Sequence, residues 1–346
     1  MYNILMQNTN TDAPFTDQMV ADAKQMIDSA QTICLNFHPS PDGDSYGCAL
    51  GMAHALRAIG KTVTVYQGDL PPPRWTNIFP GYETVVQENI ISENLAKHDL
   101  YITVDSATPT QICKDPGFTL PDMPILVIDH HHTERPYGTL RLVDVEISSC
   151  AELIFYLLPK LGLPLTGDTA TCLYMGMYSD TVGLRINDVT EKTVSAMAQC
   201  YPLTTNVQPR IIASLQNYGR KELDLISVGL TKREYVDNDR LCLIILSYND
   251  IVNVGLEKPT TYFVTSFLAG RMYDAKNLCV AFETTPNNFR VSARSDSGEH
   301  DVSYDMNQFM NKLGGGGHKG SAGALVVADT PEEARAQILK AWTDTQ

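Results

Sequence analysis

Val127-Ile128-Asp129-His130-His131-His132 is an apolar run that ends in one carboxylate and three imidazoles. Imidazole and carboxylate together suit manganese, zinc, iron or magnesium, and the neighbouring ligands decide among them. Three more segments have the same form. His38-Pro39-Ser40-Pro41-Asp42-Gly43-Asp44-Ser45 follows the apolar residues 32–37 and supplies an imidazole and two carboxylates, with Gly43 permitting a tight backbone turn. Asp105 ends a second apolar run, and Asp180 ends a helical one. One Asp in such a place is ordinarily a helix cap or turn residue. Four such segments in one half of a chain, each placed where a sheet edge would be, describe ligands converging on adjacent cations.

The elements that must position them alternate. Residues 17–30 have helical spacing, with Met19, Val20, Ala23, Met26 and Ile27 apolar. Residues 32–37 read as a buried strand, 45–59 as a small-residue helix stopped by Gly60, and 62–66 as the next strand. Residues 100–104 and 125–128 are further strands. Ser148 or Ser149 caps a helix over 151–158, and a helix over 169–178 delivers Asp180. This alternation predicts an α/β fold with a mainly parallel sheet flanked by helices, and ligands then gather at the carboxyl ends of the strands. Composition changes after Pro202. Helices at 208–216 and 222–231, strands at 241–247, 278–283, 289–293 and 324–327, and a closing helix at 331–342 predict a smaller α/β domain. The expected organisation is a metal-binding domain over 1–200, a link over 201–219 and a second domain over 220–346.

The 346 residues suit two domains, and 43% hydrophobic with 19% charged residues describe a folded, core-forming protein. No apolar stretch approaches the roughly 20 residues that cross a bilayer, and residues 1–17 lack a secretory pattern. Eight scattered cysteines without a Cys-x-x-Cys pair fit reduced thiols, so a cytoplasmic, non-membrane protein is expected. The net charge of −14 excludes the broad basic surface that tracking long nucleic acid requires. A small anionic substrate is compatible, because bound cations reverse the local sign.

In chain order, His38-x-x-x-Asp42-x-Asp44-Ser45, Val104-Asp105-Ser106, Asp129-His130-His131 and Ser179-Asp180-Thr181 resemble the motifs of the DHH phosphoesterase superfamily. Gly314-Gly315-Gly316-Gly317-His318-Lys319-Gly320-Ser321-Ala322-Gly323, with Arg294-Ser295 and Asp301-Val302, resembles the DHH-associated C-terminal domain. The likeness spans about residues 17 to 341. Chain size and Arg185, five residues after Asp180, resemble the stand-alone nanoRNase/pAp phosphatase group.

The resemblance implies that the first domain is catalytic and the second substrate-binding, with the active site in the cleft between them. It implies a site for two divalent cations, usually Mn2+ with Mg2+, Fe2+ or Zn2+ as alternatives. His38 and Asp42 would hold one and Asp44 and His130 the other, with Asp105 bridging and Asp180 completing the cage. His131 would face the scissile phosphate or the attacking water, and Asp129 would orient a ligand imidazole; Asp105, Asp129 and His131 are thus the expected catalytic set. Ser45, Arg185, Arg294, Ser295, Gly315, Gly316, Gly317 and His318 are the expected substrate contacts, the glycines forming an anion-binding nest and Arg294 a bidentate phosphate grip. The implied activity is hydrolysis of short oligoribonucleotides to mononucleotides and of 3′-phosphoadenosine 5′-phosphate (pAp) to AMP by an activated hydroxide, in a chain that could also form a homodimer. Hydrolysis of cyclic di-AMP or pApA is the alternative. A manganese pyrophosphatase or exopolyphosphatase, or a non-catalytic nucleotide sensor, ranks lower. Two features depart from the pattern: Gln111 stands where many relatives carry Arg, and His132 adds a histidine. Residues 70–75, Leu-Pro-Pro-Pro-Arg-Trp, read as a rigid surface turn.

Overall fold

The computed structural model describes residues 15–345 except 39–40, 67–77, 87–89, 91, 107, 114, 116, 134, 186–187, 214–216, 257–261, 270, 273–274, 296–303 and 318. His318, Asp301, Val302 and the 70–75 turn therefore lie outside the described residues. The chain divides into two compact units, Met1–Gln216 and Asn217–Gln346.

In the first unit the strands are β1 (Thr32–Asn36), β2 (Thr62–Tyr66), β3 (Val85–Val86), β4 (Leu100–Val104), β5 (Ile125–Asp129) and β6 (Leu140–Val143). They form one parallel sheet in the order β3-β2-β1-β4-β5-β6. The helices are α1 (Asp17–Ser29), α2 (Gly43–Ala58), α3 (Ser92–Leu95), α4 (Cys150–Leu161), α5 (Gly167–Asp180), α6 (Glu191–Cys200) and α7 (Val207–Ile211). Strand residues alternate between two cores. Leu126 and Ile128 join Ile33, Leu35, Ile102 and the helical residues Leu50, Ile154 and Leu173. Ile125 and Val127 join Cys34 and Tyr101 under Leu95, Ile112 and Tyr137, so short α3 and loop side chains cover this face. Strand order reverses between β1 and β4, and the crevice at such a switch point is where open α/β sheets bind ligands.

Close helix packing depends on small residues. A Cβ on Gly47 of α2 would lie 2.6 Å from the Cys172 carbonyl oxygen of α5, and one on Gly176 of α5 would lie 2.8 Å from Ala151 Cβ and 3.0 Å from Asp44 Oδ1. Residues 201–211, read from sequence as part of a link, instead bring Val207 and Ile211 into the first unit's core.

The second unit comprises α8 (Arg220–Lys232), β7 (Glu234–Val236), β8 (Leu241–Leu246), α9 (Tyr248–Asn253), α10 (Tyr262–Leu268), β9 (Asn277–Thr285), β10 (Asn288–Ser295), α11 (Met306–Asn311), β11 (Gly316–Gly317), β12 (Ser321–Val327) and α12 (Pro331–Thr343). Its sheet runs β11-β12-β10-β9-β8-β7 and is antiparallel apart from the β8–β9 pair. Leu243, Ala281 and Val291 pack with Phe309 and Trp342 on one face, and Ile244, Val280 and Phe282 with Leu225 and Val264 on the other. Thr330 caps α12 through Glu333 N, with Pro331 at its first position.

Candidate metal centre

Backbone contacts aim several acidic residues of the first unit's motifs. Asp42 is the N-cap of α2: its Oδ1 accepts from the Asp44 and Ser45 amides at 3.0 and 2.9 Å, leaving Oδ2 3.6 Å from His38 Nε2. Asp44, in the first turn of α2, is met by the start of α4. The Cys150 and Ala151 amides donate to its Oδ2 and Oδ1 at 2.7 and 3.0 Å. The positive end of the α4 dipole thus orients a buried carboxylate. Asp105 follows β4 with φ 53, and its N–H donates to the Ile128 carbonyl oxygen at 3.0 Å. His130 Nδ1 lies 3.3 Å from the Ile147 carbonyl oxygen, which directs Nε2 to within 3.6 Å of both Asp105 Oδ1 and Asp180 Oδ2.

Three overlapping triads result, Asp105–His130–His131, His38–Asp42–Asp105 and Asp44–His130–Asp180, with ligand atoms in each within 4.8 Å of one another. Asp105 and His130 are each shared by two triads. Asp105 is 2% exposed, and its Oδ1 has no hydrogen-bond partner among the described residues while facing His130 Nε2 and His131 Nδ1 at 3.6 and 3.4 Å. A buried, unpaired carboxylate oxygen is costly unless a cation satisfies it. The donor set, with hard oxygens and borderline imidazoles, therefore fits divalent manganese-like cations.

The electrostatics agree. Burial, then the charges of Asp105, Asp180 and Asp42, raise the Asp44 carboxyl well above its ordinary value. Burial raises Asp180 to about 7, with Asp42 and Asp105 adding and His130 opposing. Burial also opposes ionisation of Asp105, but the hydrogen bond to His38 and the nearby imidazoles hold it below the usual range. Burial lowers His131, yet the Asp129 hydrogen bond and the charges of Asp105, Asp129 and Asp180 bring it to about 9. His38 is raised well above its ordinary value against burial by Asp42 and Asp105. Asp44 and Asp180, crowded by neighbouring carboxylates, hold on to protons, and divalent cations are the physical alternative.

Residues 32–177 match the model of the DHH family, N-terminal domain. These residues form a DHH-type N-terminal domain. A bifunctional oligoribonuclease and PAP phosphatase NrnA of Thermus thermophilus is 26% identical over 345 residues, covering 94% of this chain and 92% of its own. The cyclic-di-AMP phosphodiesterase PdeA of Listeria monocytogenes is 24% identical over 92% of this chain but only 48% of its own. Among solved structures, an exopolyphosphatase-related protein from Bacteroides fragilis superposes with a TM-score of 0.80 at 18% identity over 97% of both chains, which establishes the shared fold.

The remaining motif residues have varied surroundings. Asp129, fully buried, accepts from the His130 and His131 amides at 2.7 and 3.1 Å and pairs with His131 Nδ1 at 2.9 Å. His132 is exposed. Ser45, expected at the substrate, is fully buried, and its hydroxyl closes the α2 capping box with Asp42 N at 3.2 Å. Arg185 is exposed, and its Nε donates to the Val182 carbonyl oxygen at 2.8 Å, bracing a turn in which Val182, Gly183 and Leu184 all have positive φ. Gln111 closes a box with the Thr108 amide at 3.0 Å.

In the second unit Arg294 is half-buried on β10 and donates to Ser292 Oγ and the Ala293 carbonyl oxygen. Ser295 Oγ is buried with no partner among the described residues. The expected nest at Gly315–Gly317 requires correction. The Gly315 amide donates to the Met310 carbonyl oxygen and the Gly317 amide to Asn307 Oδ1, while Gly316 and Gly317 pair with β12 as β11. A Cβ on Gly315 would lie 2.1 Å from the Gly323 carbonyl oxygen, so close strand packing accounts for glycine there. Sequence reasoning missed Gly176 and the α4 amides that hold Asp44; a glycine inside a helical pattern was the available signal.

Proposed function

We propose that the chain is a phosphoesterase that hydrolyses short oligoribonucleotides to mononucleotides and pAp to AMP. The observation that carries this reading is the sharing of buried Asp105 and His130 among three carboxylate–imidazole triads in a DHH domain. Alignment with an NrnA relative over nearly the full length of both chains supports the substrate class.

In this reading His38 and Asp42 would hold one cation and Asp44 and His130 the other, with Asp105 available to both and Asp180 completing the set. Such a pair, when bound, acidifies water and neutralises charge on the phosphate oxygens. The protein's own groups orient and transfer protons. Asp129 engages His131 Nδ1, so a proton carried by His131 passes to or from substrate through Nε2. The α4 amides keep Asp44 fixed while substrate exchanges. Arg294 and Ser295 of the second unit are the proposed phosphate contacts, Ser295 because its buried hydroxyl has donor capacity to give.

Product chromatography after incubation with pAp, pApA and a pentanucleotide RNA, with manganese added, tests this. AMP from pAp and mononucleotides from both oligonucleotides are expected. Faster turnover of cyclic di-AMP than of pApA would replace this reading with that of the PdeA relative.

A further inference from the structure

Asp105, like His130, belongs to two of the triads, yet its backbone has φ 53. A non-glycine residue stays in that conformation only where its surroundings hold it. Ser106 closes the turn locally, its Oγ donating to the Val104 carbonyl oxygen at 3.1 Å across Asp105. The Ser106 carbonyl oxygen in turn accepts from the Tyr137 hydroxyl at 2.7 Å. Tyr137 Oη also lies 3.0 Å from Thr103 Oγ1. Since the tyrosine proton is committed to Ser106, Thr103 must be the donor of that second bond, which gives a directional chain from Thr103 through Tyr137 to Ser106.

Tyr137 is itself anchored in the segment that follows the histidines. Next to it Gly138 has φ 91, and a Cβ there would lie 2.6 Å from Val127 Cγ2, so this segment runs hard against β5. Arg141 donates to the Tyr137 carbonyl oxygen at 3.2 Å, with its guanidinium 5.9 Å from the ring centroid. The side chain is 8% exposed, and burial raises its hydroxyl far above the ordinary tyrosine value, so it remains a donor at any working pH.

We propose that Tyr137 is a positioning residue of the metal centre: its hydroxyl, clamped on the Ser106 carbonyl, holds the left-handed turn that sets the Asp105 carboxylate against the imidazoles of His130 and His131. One side chain thereby ties the end of β4 to the segment after β5, and the spacing of ligands from two strands depends on it. The geometric part rests on the fold alone, and the consequence for cations rests on the two-cation reading.

The test is Tyr137→Phe in the full chain, which keeps the ring and deletes the donor. Manganese binding followed by electron paramagnetic resonance is expected to weaken about ten- to a hundredfold, the usual effect of removing a group that orients a ligand. Hydrogen exchange at the Asp105 amide, which bonds to Ile128, is expected to speed up while the rest of β4 and β5 stays protected. With pAp as substrate, kcat should fall and KM change little. Wild-type manganese affinity in the variant, or faster exchange spread evenly over the sheet, would overturn the proposal. If wild-type protein binds no manganese, the two-cation reading fails by itself, and exchange at Asp105 still decides the role of Tyr137. If Tyr137→Phe does not fold, Thr103→Val decides in its place: faster exchange at Asp105 supports the clamp, and unchanged exchange sinks it.

Discussion

Asp105 is the residue on which the site's chemistry turns, because its carboxylate faces three imidazoles: His38 at 3.5 Å, His130 at 3.6 Å and His131 at 3.4 Å. Asp105→Asn keeps the shape and removes the charge. Turnover of pAp in manganese should fall on the order of 10²- to 10³-fold, the scale of losing one preorganised electrostatic contact in a water-poor site. Wild-type turnover by the variant would exclude Asp105 as a shared ligand. Asp129 makes a different prediction, since it touches the site through His131 and two backbone amides. Its charge supports a raised His131, so Asp129→Asn should lower His131 from about 9 toward 6.5 in metal-free protein. Proton NMR titration of the imidazole reads this directly, and an unmoved midpoint would assign the shift to Asp105 and Asp180 alone.

At the scale of elements, three helices set where Asp44 can be. It starts α2, accepts from the first amides of α4 and lies against Gly176 of α5. Gly176→Ala places a Cβ where Asp44 Oδ1 and Ala151 Cβ already are, at 3.0 and 2.8 Å. Overpacking of this kind costs about 1–3 kcal/mol, and here the displaced atom belongs to a proposed ligand. Chemical denaturation should show that loss, and manganese affinity should fall with it; a variant that is destabilised but binds manganese normally would mean that Asp44 is not a ligand. The strands bearing His38, Asp105 and Asp129 were legible in the sequence because each is a short apolar run ending in a polar cluster. Strands β3, β6 and β7 were not, because runs of two to four residues carry too little pattern and their pairing is decided by neighbours. Tyr137 carried no signal either, because nothing in a sequence shows that residue 137 returns to residue 106. The Gly315–Gly317 run was misread for a related reason: glycine permits both an anion nest and close strand contact, and only the partners of its amides distinguish them.

For the whole molecule, the net charge of −14 bears on both substrate and stability. With few basic groups to neutralise phosphates, binding of a short single-stranded RNA should depend weakly on salt. About 0.7 counterions are released per phosphate contacted, so one to three contacts give a log–log slope of about −2 or shallower. A steep slope in filter binding would reveal an extended basic track. Among the described residues no helix is long and apolar enough to cross a membrane.

The crowded carboxylates make the last prediction one of linkage between cations, protons and folding. Burial and neighbouring charges raise Asp44 and Asp180 above the ordinary 3.8, Asp180 to about 7. Groups raised on folding favour the protonated fold, so their stabilising effect is complete below 3.8 and is lost as pH rises above it, for Asp180 through about 7. His131 acts in the same sense over a higher window, from 6.5 to about 9. Asp105 acts oppositely, since its lowered value stabilises the fold above 3.8 and the gain is lost in acid. Cations bound by these carboxylates replace the protons that the metal-free fold retains. The rise in Tm on adding manganese should therefore grow as pH rises from 3.8 through about 7, where Asp180 gives up its proton. Where manganese is in hundredfold excess over its Kd, the stabilisation is about 2.7 kcal/mol per site. Scanning calorimetry across that window, with chelator as the reference, measures the increment. An increment that is flat with pH would show that the cations do not bind through Asp44 and Asp180.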